Sequence, residues 1–298
     1  MARWFDGVTW QEIGVGAASG GGISNNSGGS GERPPSLALD ASNTPYVAWD
    51  DTTPGNLEIY ARQFDGTSWI EMGTGSASGG GISNHPARSW APSLAVSHAG
   101  VPYVAWTDDR SGIDRIYAMA FDSAAGTWTG GVATGCGGNG MLAFDPWDRL
   151  YLVSRDCWNS IWLTQFDGDH WTALGGAANG SPPGSTAGEQ SVAIDSAGTP
   201  FVAWVEQGVA TGKSTSNGLL QPAGPRWASV RPTGGSSSSS ASSRKPSLAI
   251  DPQATPSWPG KTATASTSNG SMAQTGSKSA PGRPAAMDLA SATRLAWA

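Results

Sequence analysis

The chain of 298 residues is long enough for two average domains or for one large all-β domain. Its 42 glycines and 15 tryptophans, with only 13% charged residues, favour many short strands joined by tight turns over a helical bundle. The formal net charge of −6 argues against a nucleic-acid partner, because phosphate binding needs a basic face. No apolar run is long enough for a membrane-spanning helix. No signal peptide is recognised, since RWFDGVTW at 3–10 already has the pattern of folded domain.

A repeat organises the first two hundred residues. PPSLALDASNTPYVAW at 34–49 returns as APSLAVSHAGVPYVAW at 91–106, and in weaker form as NGMLAFDPWDRLYLVS at 139–154 and EQSVAIDSAGTPFVAW at 189–204. Equivalent positions of the successive copies are Leu37, Leu94, Leu142, Val192 and Leu248.

Each copy predicts four short antiparallel strands, which we call A, B, C and D. Strands A and B come from the motif above. Strands C and D follow it, as in LEIYARQFDGTSWIEMG at 57–73, where apolar residues alternate with a period of two. Four strands per copy predict an all-β fold, a β-propeller of four-stranded blades whose Trp and Phe residues pack between blades. The predicted units are a C–D hairpin at 3–14, blades at 35–73, 92–130 and 140–175, and a half blade at 190–206.

These copies resemble the sialidase-like β-propeller repeats of bacterial exported and surface proteins. The FDGxxW turns, as in Asp65–Trp69, are similar to the sialidase Asp-box, although the Asp-box places its Asp five positions before Trp and here the spacing is four. The resemblance implies a turn-forming Asp and a Trp wedged into the blade. It also implies an extracellular or cell-surface location.

Sialidase activity does not follow from this resemblance. A sialidase needs three arginines around a substrate carboxylate, a Tyr/Glu nucleophile pair and an acid–base Asp. The arginines here are scattered, and Tyr60 and Tyr117 are repeat-equivalent, which is typical of packing residues. We therefore predict a non-catalytic module for binding or scaffolding, of glycans or protein partners. A sialidase-like glycoside hydrolase fragment is the alternative.

Candidate ligand-binding residues lie in the B–C connections. In the usual propeller topology these connections and the D–A loops are expected at one end of the strands, around the mouth of the central channel. The carboxylates could bind a cation such as Ca²⁺, accept hydrogen bonds from sugar hydroxyls or meet a basic partner; the alternative is that they only form turns. The Gly/Ser-rich loop at 73–90 is long enough to be a recognition loop. The candidates are Asp50, Asp51, Asp108, Asp109, Arg110 and Asp156, with Trp90 and Trp158 as exposed aromatics that stack on a ligand.

Two cysteines, Cys136 and Cys157, leave two possibilities open. They form a disulfide in an exported protein, or they are unpaired, partly buried thiols. No CxxC motif or Cys/His cluster indicates a metal site, and no cofactor is predicted.

The composition changes after residue 206. Every Tyr and Phe lies before this point and all four Lys lie after it, yet KPSLAIDPQATP at 245–256 preserves strand A. Read one base out of frame, the codons of Trp258, Pro259 and Gly260 encode alanine followed by a codon that permits tryptophan, where the repeat requires Ala-Trp.

We therefore interpret the chain as a fragment of a larger propeller with a damaged C-terminal part. Such Ser/Thr/Gly-rich sequence cannot bury enough apolar area to become ordered, so disorder or coil is expected there. The predicted units are out-of-frame segments at 208–243 and 256–298, within a degraded region at 207–298 that keeps one intact strand at 245–251.

Overall fold

In the computed structural model, every regular element of the described residues is a β-strand. The described residues are 2–25, 33–53, 55–176, 186–207, 217–219 and 228–230. The strands are β1 (Arg3–Phe5), β2 (Trp10–Glu12), β3 (Ser36–Leu39), β4 (Pro45–Asp51), β5 (Glu58–Phe64), β6 (Trp69–Glu71), β7 (Ser89–Val96), β8 (Pro102–Asp108), β9 (Arg115–Asp122), β10 (Thr127–Val132), β11 (Gly138–Phe144), β12 (Leu150–Arg155), β13 (Ile161–Phe166), β14 (Trp171–Gly176), β15 (Thr186–Ile194), β16 (Pro200–Gln207), β17 (Asn217–Leu219) and β18 (Ala228–Val230).

Consecutive strands form three four-stranded antiparallel sheets. Strands β3 to β6 make blade 1, β7 to β10 make blade 2, and β11 to β14 make blade 3, while β1–β2, β15–β16 and β17–β18 are two-stranded. The first strand of each blade lies beside the first strand of the next, in the order β3, β7, β11, β15. Inner strands that meet in this way define a β-propeller, and the predicted all-β fold of four-stranded blades is confirmed.

Antiparallel order gives each blade two ends with different loops. The A–B and C–D turns lie at one end, which we call the lower face. The B–C connections and D–A loops lie at the other end, which we call the upper face. The upper face therefore carries all eight candidate residues.

Apolar side chains fill the space between neighbouring blades. Ile59 and Met72 of blade 1 pack against Trp106 and Tyr117 of blade 2. The same contact precedes blade 1, where Ile13 and its neighbours pack against the equivalent pair, Trp49 and Tyr60. Because both faces of a blade are covered in this way, the strand B tryptophans are core residues, as the repeat predicts.

Polar ties repeat between blades at fixed places. The indole of Trp69 donates to the carbonyl oxygen of Ile13 (2.7 Å), and the indole of Trp128 donates to that of Met72 (2.9 Å). At the inner strands, the amide of Leu94 donates to the Ser36 hydroxyl, and that of Leu142 to the Ser93 hydroxyl, both at 2.9 Å. In blades 1 and 2, the Trp after the C–D turn and the Ser of PSLA therefore hold adjacent blades together.

The Asp of each C–D turn organises that turn. In the first hairpin, Oδ1 of Asp6 accepts the amides of Val8 (2.8 Å) and Thr9 (2.7 Å), and Asp65 accepts the equivalent pair in blade 1. These backbone hydrogen bonds lower the pKa of Asp6 to about 2. The turn-forming role inferred for this Asp agrees with its contacts.

The D–A loop after blade 1 is closed rather than open. Its residues run along strand β5, with hydrogen bonds from Ile82 N to Ile59 O (2.7 Å) and from Ala61 N to Ser76 O (2.8 Å). Ser76 and Ile82 are buried. This segment therefore lies against β5, because its glycines let the backbone approach that strand; a role of 73–90 in recognition stays a prediction.

The predictions for the C-terminal region fall mostly outside the described residues, including the intact strand at 245–251 and the segment at 256–298. Within 208–243, where we expected coil, 217–219 pairs with 228–230 as a short hairpin, and β17 lies near β16.

Gly81 tests how the D–A loop is held. It has φ of +65°, and a Cβ there would clash with the carbonyl oxygen of Ile59. Left-handed strain and this clash together predict that Gly81→Ala lowers the free energy of unfolding by about 3 kcal/mol. Urea unfolding followed by tryptophan fluorescence measures this.

Gly79 supplies the matched control. Its φ is +56°, but a Cβ there would meet nothing within 4 Å. Gly79→Ala should therefore lose only about 1 kcal/mol, which is the strain alone. Equal losses in the two variants would contradict the packed loop.

Candidate functional site

Asp50 and Asp51 end strand β4 at the upper face and point to opposite sides of it. Asp50 faces blade 2, where its Oδ2 accepts the amide of Ala91 (3.0 Å). A bulge between Trp90 and Ser93, with φ of +56° at Ala91, turns that amide toward Asp50. Asp50 and Asp51 are only 2% and 1% exposed, so both carboxylates are removed from bulk water.

Asp108 ends the equivalent strand of blade 2 and is fully partnered. Arg110 binds it through Nε to Oδ1 (2.8 Å) and through Nη2 to Oδ2 (2.7 Å), and Trp106 Nε1 and Ser89 Oγ also donate to Oδ2. The guanidinium lies over the Tyr117 ring at 4.3 Å and donates to Ser83 O of the preceding loop (3.3 Å). Asp108 and Arg110 thus clamp blade 2 to the loop of blade 1.

Blade 1 has the same arrangement of residues at the end of strand B but lacks the arginine. Trp49, Asp51 and Tyr60 are the repeat equivalents of Trp106, Asp108 and Tyr117, and Thr53 stands where blade 2 has Arg110. Asp51 Oδ1 accepts the amide and hydroxyl of Thr53. Among the described residues, however, Asp51 Oδ2, Trp49 Nε1 and Asp50 Oδ1 are buried and have no hydrogen-bond partner.

The other candidates have different surroundings. Asp109 accepts a hydrogen bond from the amide of Arg88 (2.8 Å), one residue beyond the last pair of the β7–β8 ladder. Asp156 accepts the amides of Trp158 and Ser160 and the indole of Trp162. Asp156 is therefore a turn residue, as the alternative interpretation holds, and it does not join the carboxylates of blades 1 and 2.

The two candidate aromatics also differ. Trp158 is 81% exposed in the B–C connection of blade 3. Trp90 is half-buried, with the Arg88 guanidinium 4.9 Å from its ring. The prediction of an exposed Trp90 is wrong, because the bulge of β7 turns this residue in beside Arg88.

Cys136 and Cys157 form a disulfide, with Cα atoms 5.7 Å apart. It joins the loop after blade 2 to the B–C connection of blade 3, directly before Trp158. The alternative of two unpaired thiols is wrong. The disulfide fixes the backbone that presents the exposed indole.

Two residues of the upper face were not among the candidates. Glu58 accepts from Ser83, Asn56 and the amide of His85, and burial raises its pKa. Arg33 donates to Asn139 of blade 3 (3.1 Å), so it reaches past blade 2. One signal was present in the sequence for Glu58, because the other blades have no carboxylate in its place.

The described residues contain no group of three or more His, Cys, Asp or Glu placed to hold a metal ion. The predicted arc of carboxylates therefore does not converge into one Ca²⁺ site in this part of the chain. In the same ranges no helix is long and apolar enough to cross a membrane.

Tyr60 is unsuited to act as a nucleophile beside Glu58. Its hydroxyl donates to Gly79 O (2.8 Å). Burial, with the nearby charges of Asp51 and Glu58, raises the pKa of Tyr60 to about 12. A phenolate is therefore costly to form at neutral pH.

Comparison with known proteins finds similar backbones among solved structures. No protein-family model matches the sequence, and no curated protein matches it. A protein of unknown function from Dyadobacter fermentans has a TM-score of 0.48 at 13% identity, covering 66% of this chain and 68% of its own. The α-L-arabinanase of Penicillium chrysogenum, complexed with arabinobiose, has 0.48 at 12%, covering 72% and 70%. Bacillus subtilis arabinanase Arb43A has 0.42 at 14%, covering 64% and 74%. At such identities the likeness is one of backbone only.

Fold and site together define the class: a β-propeller with a carboxylate-rich upper face. Within it, the tryptophan and carboxylate at the end of strand B are satisfied in blade 2, where Arg110 pairs with Asp108, and they are not in blade 1. The difference between these two blades is the feature on which the functional argument rests.

The clamp of blade 2 predicts a pH-dependent stability. Burial raises the pKa of Asp108, but hydrogen bonds from Arg110, Trp106 and Ser89 outweigh it and leave the pKa below its usual value. Asp108→Asn should therefore lower the free energy of unfolding at pH 7 by about 3 kcal/mol. Because the folded pKa lies below the unfolded value of about 3.9, the gap should close below about pH 4. Asp109→Asn, which keeps its amide bond, is the control and should lose less than about 1 kcal/mol.

For Asp50 we predict the opposite effect of the Asn substitution on the free energy of unfolding at pH 7. Burial raises its pKa, against the hydrogen bond from Ala91 and the charge of Arg33, so its ionised form destabilises the protein at pH 7. Asp50→Asn should leave the free energy of unfolding unchanged or higher at pH 7. The difference should vanish as the pH falls through the folded pKa. Denaturation in urea at pH 7 and pH 4 checks this, and a loss as large as that of Asp108→Asn would contradict it.

Proposed function

We propose that the protein is a non-catalytic propeller module that binds a carbohydrate at the upper face of blade 1. One observation carries this proposal: Trp49 Nε1 and Asp51 Oδ2, on the same side of β4, are buried without partners, whereas blade 2 satisfies the equivalent atoms through Asp108 and Arg110. Leaving a buried polar group unpaired costs about 1–3 kcal/mol, which a ligand can recover.

The unpartnered atoms favour hydroxyl groups as the ligand chemistry. One is a donor and the other an acceptor, and a sugar hydroxyl both accepts and donates a hydrogen bond. A simple cation would leave the Trp49 indole unsatisfied. Trp158, held by the disulfide and exposed on the same face, adds an aromatic surface on which a sugar ring can stack.

The alternative is a sialidase-like hydrolase, and the contacts of its candidate residues do not favour it. Asp108 is occupied by Arg110, and Glu58 by three donors. The high pKa of Tyr60 opposes nucleophilic attack. An extracellular or cell-surface location accompanies the proposal and is supported by the disulfide, because structural disulfides persist in oxidising compartments.

A glycan array with the full chain identifies ligands, and calorimetry on the best one tests the site. Asp51→Asn and Trp158→Ala should each weaken binding at least tenfold, because the first replaces an acceptor by a donor and the second removes the stacking surface. Trp147→Ala is the matched control, since Trp147 is also exposed but lies on the lower face. Its affinity should equal that of the wild type.

Two results would contradict the proposal. Binding that survives Asp51→Asn would remove blade 1 as the site. Release of reducing sugar from the bound glycan, lost in Glu58→Gln, would establish the hydrolase instead.

A further inference from the structure

A groove of about 350 Å³ lies away from the upper-face carboxylates, between the loop after the first hairpin and the outer strands of blade 1. Residues between Val15 and Asn25 form one wall. Arg62, Ser68 and Trp69 form the other. This volume is at the lower end of the range for small-molecule sites, so it suits a ligand of about one sugar ring.

Arg62 is the charged residue among those that line this groove. Like Arg115 and Arg155, it has a buried Nε without a hydrogen-bond partner among the described residues, but of the three it is the one that lines the groove. Glu71 faces Arg62 across the strands, but Oε2 of Glu71 accepts the amide of Gly75 (3.2 Å). No ion pair within 4 Å joins the two side chains in the described ranges. Burial lowers the pKa of Arg62, which means that its charged form is less stable here than in water.

In blade 2, the position equivalent to Arg62 is occupied by a packing residue. Met119 is the repeat equivalent of Arg62, and it packs against the apolar core between blades 1 and 2 together with Phe121 and Trp128. Blade 1 has the same partners, Phe64 and Trp69, but replaces the methionine by arginine. Blade 3 has Thr164 at this position, and its hydroxyl donates to Leu152 O. Neither of the other two complete blades therefore carries a charge here, and the arginine of blade 1 departs from both.

We propose that this groove binds the carboxylate group of a small ligand through Arg62. A guanidinium offers a planar fork of donors that matches the two oxygens of a carboxylate. The Trp69 indole N–H is already donated to Ile13, so its ring acts as a wall, and Arg62 carries the recognition. A ring that bears a carboxylate, such as a uronic acid, fits both the volume and the charge.

Calorimetric titration of the full chain with D-glucuronate, and with D-glucose as the neutral analogue, tests the assignment. The wild type should bind glucuronate at least tenfold more tightly than glucose. Arg62→Met, which copies Met119, should abolish this preference while the protein stays folded. Arg62→Lys keeps the charge without the fork and should lose severalfold.

Three outcomes would overturn the inference. They are equal affinity for glucose and glucuronate, unchanged glucuronate binding in Arg62→Met, or sulfate that competes as well as glucuronate. Asp51→Asn separates this groove from the glycan site of blade 1. That variant should bind glucuronate like the wild type.

Discussion

The need to cover both faces of every sheet governs this molecule. In blade 1, Ile59 and Tyr60 are neighbours in strand β5, both are fully buried, and they point to opposite sides. A strand that is apolar on both sides has no solvent face, so a blade needs a neighbour on each side. The recurrence of one sequence pattern from blade to blade follows from this requirement, because each neighbour must present the same complementary surface.

Positions at which the copies differ determine which polar groups are left without partners. Where they agree, as at the strand B tryptophans, a residue serves the packing. Thr53 in place of Arg110 leaves an indole and a carboxylate unsatisfied, and Arg62 in place of Met119 puts a charge into an apolar interface. Both differences leave polar groups in blade 1 without the partners that a folded interior normally supplies. Among the described residues, four of the eight buried side-chain atoms without a hydrogen-bond partner lie in blade 1, and the others belong to Arg115, Arg155, Gln190 and Trp204.

Much of the fold could be predicted from the sequence, because alternation, turn-forming Asp and spaced Trp are local signals. The site was less accessible. Asp50, Asp51 and Asp108 are the same residue type in equivalent connections, and the sequence does not show which side chains contact each carboxylate. In the structure Arg110, Trp106 and Ser89 of the same blade bind Asp108, whereas one oxygen each of Asp50 and Asp51 has no partner. Glu58 was overlooked because its serine partner comes from a loop 25 residues away. The packing of the loop at 73–90 is not evident from its composition, because glycine-rich sequence is typical of open segments, whereas here the glycines let the main chain lie against β5.

The hydrogen bonds donated by the indoles of Trp69 and Trp128 run from a later unit of the chain to the preceding one. Trp69 and Trp128 each reach back 56 residues to a carbonyl of the preceding unit, and Leu94 and Leu142 likewise donate to serines of the blade before them. Each unit is therefore completed by the one synthesised after it. As the polypeptide leaves the ribosome, one incompletely tied unit should be present at a time, and stability should accumulate in steps one blade long. The direction of these bonds thus matches the direction of translation.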